Sequence, residues 1–335
     1  MRDITSIPGL AASDLSDLSI RQFTQISLFI DVFSKVLSKL GLKSENSQEV
    51  TMNQWQVGNV KITRVVEMEV KGGTRFILPQ ATRDVVKPIK WLQPHFADEE
   101  GNLIMSIHAL VVETPDKKII VDTCIGNDKT RSIPNWTNLQ LPFLDDLKKA
   151  GYDRDGIDTV LCTHLHVDHV GWNTMLVDGQ WVPTFPNARY LMADTEFNYW
   201  IDKKDGDYGD VMGDSVNPIL EAGLIDLVDF NHRVCEEIYL QPTLGHTPGH
   251  VSVHIESEGQ QAIITGDCIH HPCQIEKLDW SSSADYDASQ AIQTREQLLA
   301  EFADKDVLII GTHFATPTAG YFKKAGETYW LDVNL

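Results

Sequence analysis

Short apolar runs punctuated by turn residues fill most of this chain, and a helical period is legible in three stretches. Over residues 19–40, Ile20, Phe23, Ile26, Phe29, Ile30, Phe33, Val36, Leu37 and Leu40 recur near every third or fourth position, and Gly41 offers a stop. Polar residues, among them Gln22, Gln25, Asp31, Lys35 and Lys39, break this run too often for a membrane span or the core of a signal peptide. It reads as an amphipathic helix whose stripe either packs on the chain's own core or forms the arm of a homodimer. The other helical stretches are residues 139–150, closed by Gly151, and residues 287–302. Strand patterns occupy residues 55–70, a hairpin of 103–113 with 118–122, then 159–162, 188–193, 238–240, 251–255, 263–265 and 307–310. In the 251–255 run Val251, Val253 and Ile255 alternate with Ser252 and His254, as in a half-buried strand. The long connection over residues 72–102 reads as either a lid or a structural loop.

No linker or repeat divides the chain beyond residue 54, so the expected organisation is an N-terminal helical extension, 1–54, and one domain, 55–335. With 42% hydrophobic residues in a chain of 335, a sizeable core is available. Lys and Arg number 28 against 48 Asp and Glu, a formal charge of -20, which argues against nucleic acid as a partner. No membrane partner is expected. Five cysteines without a CxxC spacing argue against a disulfide framework and point to a reducing, cytoplasmic setting. The acid-rich segment 202–214 lacks the ligand spacing of a calcium loop and reads as solvated surface.

Chemistry concentrates where the apolar run 159–162 ends, at Thr163-His164-Leu165-His166-Val167-Asp168-His169. His164 and His166 are two apart and, in an extended chain, point the same way; Asp168 and His169 are adjacent and diverge, which suits them to a second ion. Imidazole and carboxylate without thiolate fit zinc, or Mn, Fe or Co. Three more loops follow apolar runs and offer further donors: Gly245-His246-Thr247-Pro248-Gly249-His250, Thr265-Gly266-Asp267, and Gly311-Thr312-His313.

These four motifs, in this order, resemble the metallo-β-lactamase-fold hydrolases over roughly residues 55–320. The resemblance implies an α/β fold, a four-layer αβ/βα sandwich, with two divalent metal ions per chain. One ion would be held by His164, His166 and His246, the other by Asp168, His169 and His313, with Asp267 bridging. His250 and Asp122 would orient ligands from behind. Two ions about 3.5 to 4 Å apart share a water and lower its pKa to about 7, so a bridging hydroxide is the expected nucleophile, with Asp168 or Asp267 moving protons.

Within the family, true metallo-β-lactamases lack a bridging carboxylate at the position of Asp267, nuclease relatives need basic surfaces, and flavin-linked diiron reductases carry Glu where His166 stands. What remains resembles the lactonases and the methyl parathion hydrolase group. Acyl-homoserine lactonases place Tyr three residues after the bridging Asp, whereas this chain has His270, either a substrate-side hydrogen bonder or general acid, or a packed imidazole. The expected substrate is a small lactone or aryl ester, which links the chain to quorum quenching. An aryl phosphotriester is the runner-up. A non-catalytic metal-binding protein is disfavoured because all seven ligand positions are filled. Trp91, Phe96, Trp136, Trp172 and Trp280 are candidates to line an apolar pocket.

Overall fold

The computed structural model describes residues 54–203 and 208–334. The helix read over residues 19–40, and with it the homodimer arm, lies outside the described residues. The alternating opening stretch forms β1 (Gln54–Val57) and β2 (Val60–Lys71), an antiparallel pair. β3 (Ile104–Glu113) and β4 (Lys118–Val121) form the expected hairpin, and β5 (Thr159–Leu161) joins β4 in parallel. A separate hairpin, β6 (Thr174–Val177) with β7 (Gln180–Pro183), precedes β8 (Arg189–Ala193) and β9 (Ile225–Val228). The first sheet runs β1-β2-β3-β4-β5-β8-β9.

The second sheet contains β10 (Ile238–Pro242), β11 (Val251–Ser257), β12 (Gln260–Ile264), β13 (Val307–Ile310), β14 (Ala319–Ala325) and β15 (Thr328–Asp332), paired in chain order. Ile62, Leu110 and Val121 from the first sheet meet Leu240, Val253 and Ile264 from the second in one buried apolar layer. On the outer face of the first sheet lie helices Phe143–Lys149 and Asp194–Ile201; helix Ala288–Phe302, its N-terminus capped by Asp287, covers the second. The order helix, sheet, sheet, helix is the four-layer αβ/βα sandwich.

Three local expectations change. β11 is covered on both faces: Val251, Val253 and Ile255 enter the inter-sheet layer, while His254 is buried towards Phe302 of the outer helix, with ring centroids 5.8 Å apart. The connection 72–102 is not a free lid, because Leu78, Val86, Leu92 and Phe96 are buried with Leu299 and Phe314. Segment 202–214 ends in the interior instead of on solvated surface. Arg131 grips the Asp214 carboxylate through two bonds of 2.6 and 2.9 Å, and buried Lys129 donates to Asp214 O at 3.0 Å and lies 3.5 Å from its carboxylate.

Two outcomes follow from these buried charges. Asp214→Ala leaves Lys129 and Arg131 without their counter-charge and should lower urea-measured stability by about 3–5 kcal/mol. His271 is locked neutral: its Nε2 donates to Phe96 O at 2.8 Å and its Nδ1 accepts from Cys273 N at 3.0 Å. Burial lowers its pKa to about 4, so the unfolded chain takes up a proton near pH 6.5 that the folded chain refuses until about 4. Stability should therefore fall as pH drops through this window, by up to roughly 3 kcal/mol from His271. Burial also lowers His254 to about 4 and His250 to about 3, so His271→Asn should flatten the pH profile without abolishing it.

Candidate metal centre

β4, β5 and β8 run parallel, so their C-terminal ends open on one side, and β12 and β13 do the same in the second sheet. The ends of β5, β12 and β13 release loops that carry donors, and the β10–β11 loop adds His246. Directly after β4, Asp122 takes a left-handed backbone (φ 55°) that an aspartate tolerates. Its carboxylate accepts Thr163 N and Thr163 Oγ1, both at 2.8 Å, and pins the loop that follows β5.

The outward hydrogen bonds set the tautomers. Thr163 gives its one hydroxyl hydrogen to Asp122, so His164 Nδ1–H donates to Thr163 Oγ1 at 3.0 Å and its Nε2 is left bare. In the same way His169 Nδ1 donates to Asp122 at 2.8 Å, His246 Nδ1 to Asp285 at 2.8 Å, and His313 Nδ1 to Ser106 O at 3.0 Å. Each then turns Nε2 inward, while His166 turns Nδ1 inward. Bond by bond, the surroundings prepare lone pairs.

Among the described residues these atoms fall into overlapping groups that could hold metal ions, and two of those groups are separate triads. His164 Nε2, His166 Nδ1 and His246 Nε2 stand 2.8, 3.1 and 3.2 Å from one another. Tetrahedral metal–nitrogen bonds of about 2.0–2.1 Å would place donors roughly 3.3 Å apart, so the triad fits a zinc-like ion. In the second group His169 Nε2 and His313 Nε2 are 3.2 Å apart, with Asp168 oxygens at 3.8 and 3.5 Å. Asp168 and His169 therefore converge, against the expectation of divergence. The chain turns between them, with His169 N on His166 O at 3.1 Å, so extended-strand alternation does not apply.

Asp267 lies between the groups. Its Oδ2 is 3.3 Å from His169 Nε2, 3.5 Å from His246 Nε2 and 3.8 Å from His164 Nε2; its Oδ1 is 3.2 Å from His313 Nε2. Asp267 N donates to His250 Nε2 at 2.8 Å, and a side chain at Gly266 (φ 55°) would strike that ring at 2.5 Å. Burial holds the His164 and His166 imidazoles neutral, well below their ordinary pKa. Burial pulls His169 and His313 the same way, but Asp267 and neighbouring carboxylates outweigh it and raise both. Protons and a cation would compete for the same lone pairs.

His270 is buried beside Asp267, its Nε2 3.4 Å from Oδ2, and neither ring nitrogen has a hydrogen-bond partner among the described residues. It borders an apolar cleft of about 220 Å³ lined by Phe76, Ile77, Met105, Ile107, Ile133 and Trp136, which opens on Asp168, Asp267 and His313. Of the five candidate aromatics only Trp136 lines it: Trp91 is bonded to Glu276 at 2.7 Å, and Phe96, Trp172 and Trp280 are core. A second cavity of about 430 Å³ borders His166 and His246 from the side of Tyr199, Trp200 and Tyr286.

Sequence reading missed three buried acids. Asp285 sits in a serine-rich loop with no distinguishing spacing. Glu67 falls at a register shift in β2, accepts Ile125 N, Gly126 N and Trp172 Nε1 at 2.9, 3.1 and 2.7 Å, and is raised to about 7 by burial. Glu196 lies in the first turn of helix Asp194–Ile201. An acid inside the apolar run Val65-Val66-Glu67-Met68 was the one available signal.

Residues 105–313 match the family model described as the metallo-beta-lactamase superfamily. The chain belongs to that superfamily. Within it, the chain is similar to an N-acyl homoserine lactonase of Bacillus thuringiensis, 24% identical over 178 residues, which are 49% of this chain and 64% of the relative. It is also 24% identical over 172 residues to an N-acyl homoserine lactonase of Bacillus sp, covering 47% and 62%. The chain thus matches less than two thirds of the length of these curated relatives. Among solved structures, the dizinc quorum-quenching lactonase AidC, in complex with a product, superposes with a TM-score of 0.69 at 22% identity, covering 85% of this chain and 98% of that one. The hydrolase AbOPH of the beta lactamase superfamily gives 0.71 at 25% identity, covering 86% and 99%. The superfamily and the donor set both point to divalent metal ions. Among the described residues no helix is long and apolar enough to cross a membrane.

Proposed function

We propose that this superfamily member is a dinuclear metallohydrolase that opens a lactone or cleaves a small aryl ester. The observation that carries the reading is the Asp267 carboxylate, set between two donor triads at the mouth of an apolar cleft. In this reading His164, His166 and His246 hold one ion, Asp168, His169 and His313 hold the other, and Asp267 is shared. Two such ions, zinc suiting the donors best, would supply Lewis acidity and activate water near neutral pH. The lactonase relatives support a lactone as substrate.

The chain's own residues supply the rest. Phe76, Ile77, Ile133 and Trp136 take the apolar arm of the substrate and exclude water around the reacting bond. His270 is held neutral by burial and so offers one N–H donor and one bare nitrogen. From the cleft wall it donates to a substrate oxygen. Asp168, which borders the same cleft, would take the proton released by the attacking water and return it to the leaving oxygen as the ester bond breaks. The edge-on pair of Phe76 and Trp136, with centroids 6.0 Å apart, also suits an aryl group, so an aryl phosphotriester is the second reading.

Elemental analysis combined with initial rates on an aliphatic acyl-homoserine lactone, dihydrocoumarin, an aryl ester and an aryl phosphotriester tests both. About two metal ions per chain with a lactone turned over fastest is the expected result. Two ions with the phosphotriester fastest would select the second reading, and fewer than one ion in folded, zinc-supplemented protein would overturn the dinuclear mechanism. His270→Phe should cut kcat by about 10²-fold with metal content unchanged; an unaltered kcat would remove His270 from the chemistry.

A further inference from the structure

We propose that Glu196 is the positioning residue that locks the loop carrying His164 and His166 to the loop carrying His246, and thereby sets the metal affinity of that triad. The inference rests on the ligand roles proposed above. The two loops come from different sheets: one follows β5, the other links β10 to β11. Glu196 is fully buried between them. Its Oε1 accepts Leu165 N, from the residue between the two histidines, at 3.0 Å. Its Oε2 accepts Thr247 Oγ1 at 2.7 Å and Gly249 N at 2.9 Å, on the far side of His246. A fourth donor, Trp200 Nε1, reaches Oε1 at 2.7 Å, and the ring it belongs to packs edge-on against His166 with centroids 5.5 Å apart.

Close approach is built into the backbone here. A Cβ at Gly249 would lie 2.3 Å from Glu196 N, so only glycine lets the second loop come this near. An ionised carboxylate is the side-chain group that can accept from both loops at once, two donors on each oxygen. An amide of the same shape cannot. Turned one way, its NH₂ faces Leu165 N and Trp200 Nε1 and the first loop loses its hold; turned the other way, it faces Gly249 N, and only the Thr247 hydroxyl, which can also accept, still binds the second loop.

The test is a chelator-competition titration of the zinc-loaded full-length protein, which follows release of each ion separately, with urea denaturation of the metal-free protein as the measure of fold stability. In Glu196→Gln one ion should be released with about ten- to a hundredfold weaker affinity while the other holds as in the wild type. Two weakly held ions, or two held as in the wild type, would overturn the proposal whatever the stability of the variant. Should Glu196→Gln fail to fold, Thr247→Val keeps the carboxylate and removes one loop's side-chain donor. It should weaken one ion severalfold, and unchanged affinity would be decisive against the idea. A wild-type protein that binds no zinc would overturn the ligand roles and the proposal with them.

Discussion

Bare nitrogen lone pairs cannot be brought to within 2.8–3.2 Å of one another unless something else fixes which nitrogen carries the hydrogen. That constraint organises the centre. A free imidazole would turn its protonated nitrogen inward and close a hydrogen bond with its neighbour, and the group would collapse into an ordinary polar cluster. Asp122, Thr163, Asp285 and Ser106 prevent this by each taking an Nδ1–H from behind. The outward bonds leave four rings with their accepting nitrogens aimed at a common space.

Holding those outward partners in place is the task of the two sheets. Parallel neighbours β4, β5 and β8 release two loops and a helix at one edge, and β12 with β13 release two more loops. The apolar layer between the sheets fixes the spacing of these ends. Buried acids then fasten loop to loop: Asp122 joins the β4 and β5 ends, Glu67 takes two backbone N–H groups just beyond Asp122, and Glu196 spans the sheets. A buried carboxylate with every oxygen satisfied costs desolvation but tolerates no slack. That property suits a site whose donors must hold their spacing to a few tenths of an ångström.

The donor residues were legible in the sequence because each loop packs its chemistry into a few consecutive positions, as in Thr163 to His169. Strand and helix periodicity likewise showed the layers. What escaped depends on contacts between distant segments. Asp285 is 39 positions from the imidazole it orients, and Glu196 is 31 and 53 from the backbone groups it holds, so no local pattern marks them. The buried end of segment 202–214 was hidden for a similar reason: Asp214 is solvated or interior according to whether Arg131, 83 positions away, folds against it. Adjacent Asp168 and His169 misled for a different reason. Side-chain direction follows the backbone, and a tight turn reverses the alternation an extended chain would give.

The same distinction separates reaction from selectivity. In the proposed reading, the donors that would hold the ions come from the ends of core strands, where the fold leaves little freedom. The cleft walls that would meet a substrate in this reading come from segments 72–77 and 133–136, held by loop packing, and His270 borders the same cleft. It follows Asp267 by only three residues, so its position is set by the core, yet it borders the cleft and neither ring nitrogen is hydrogen-bonded among the described residues. Its backbone N–H is fixed on Gln274 at 2.8 Å, and Gln274 in turn donates to Trp280 O at 3.0 Å, as does buried Arg295. The imidazole is therefore held by core contacts while its ring nitrogens are left without a hydrogen bond among the described residues. A change in substrate range would then be expected to come from the walls around it, with the donor frame untouched.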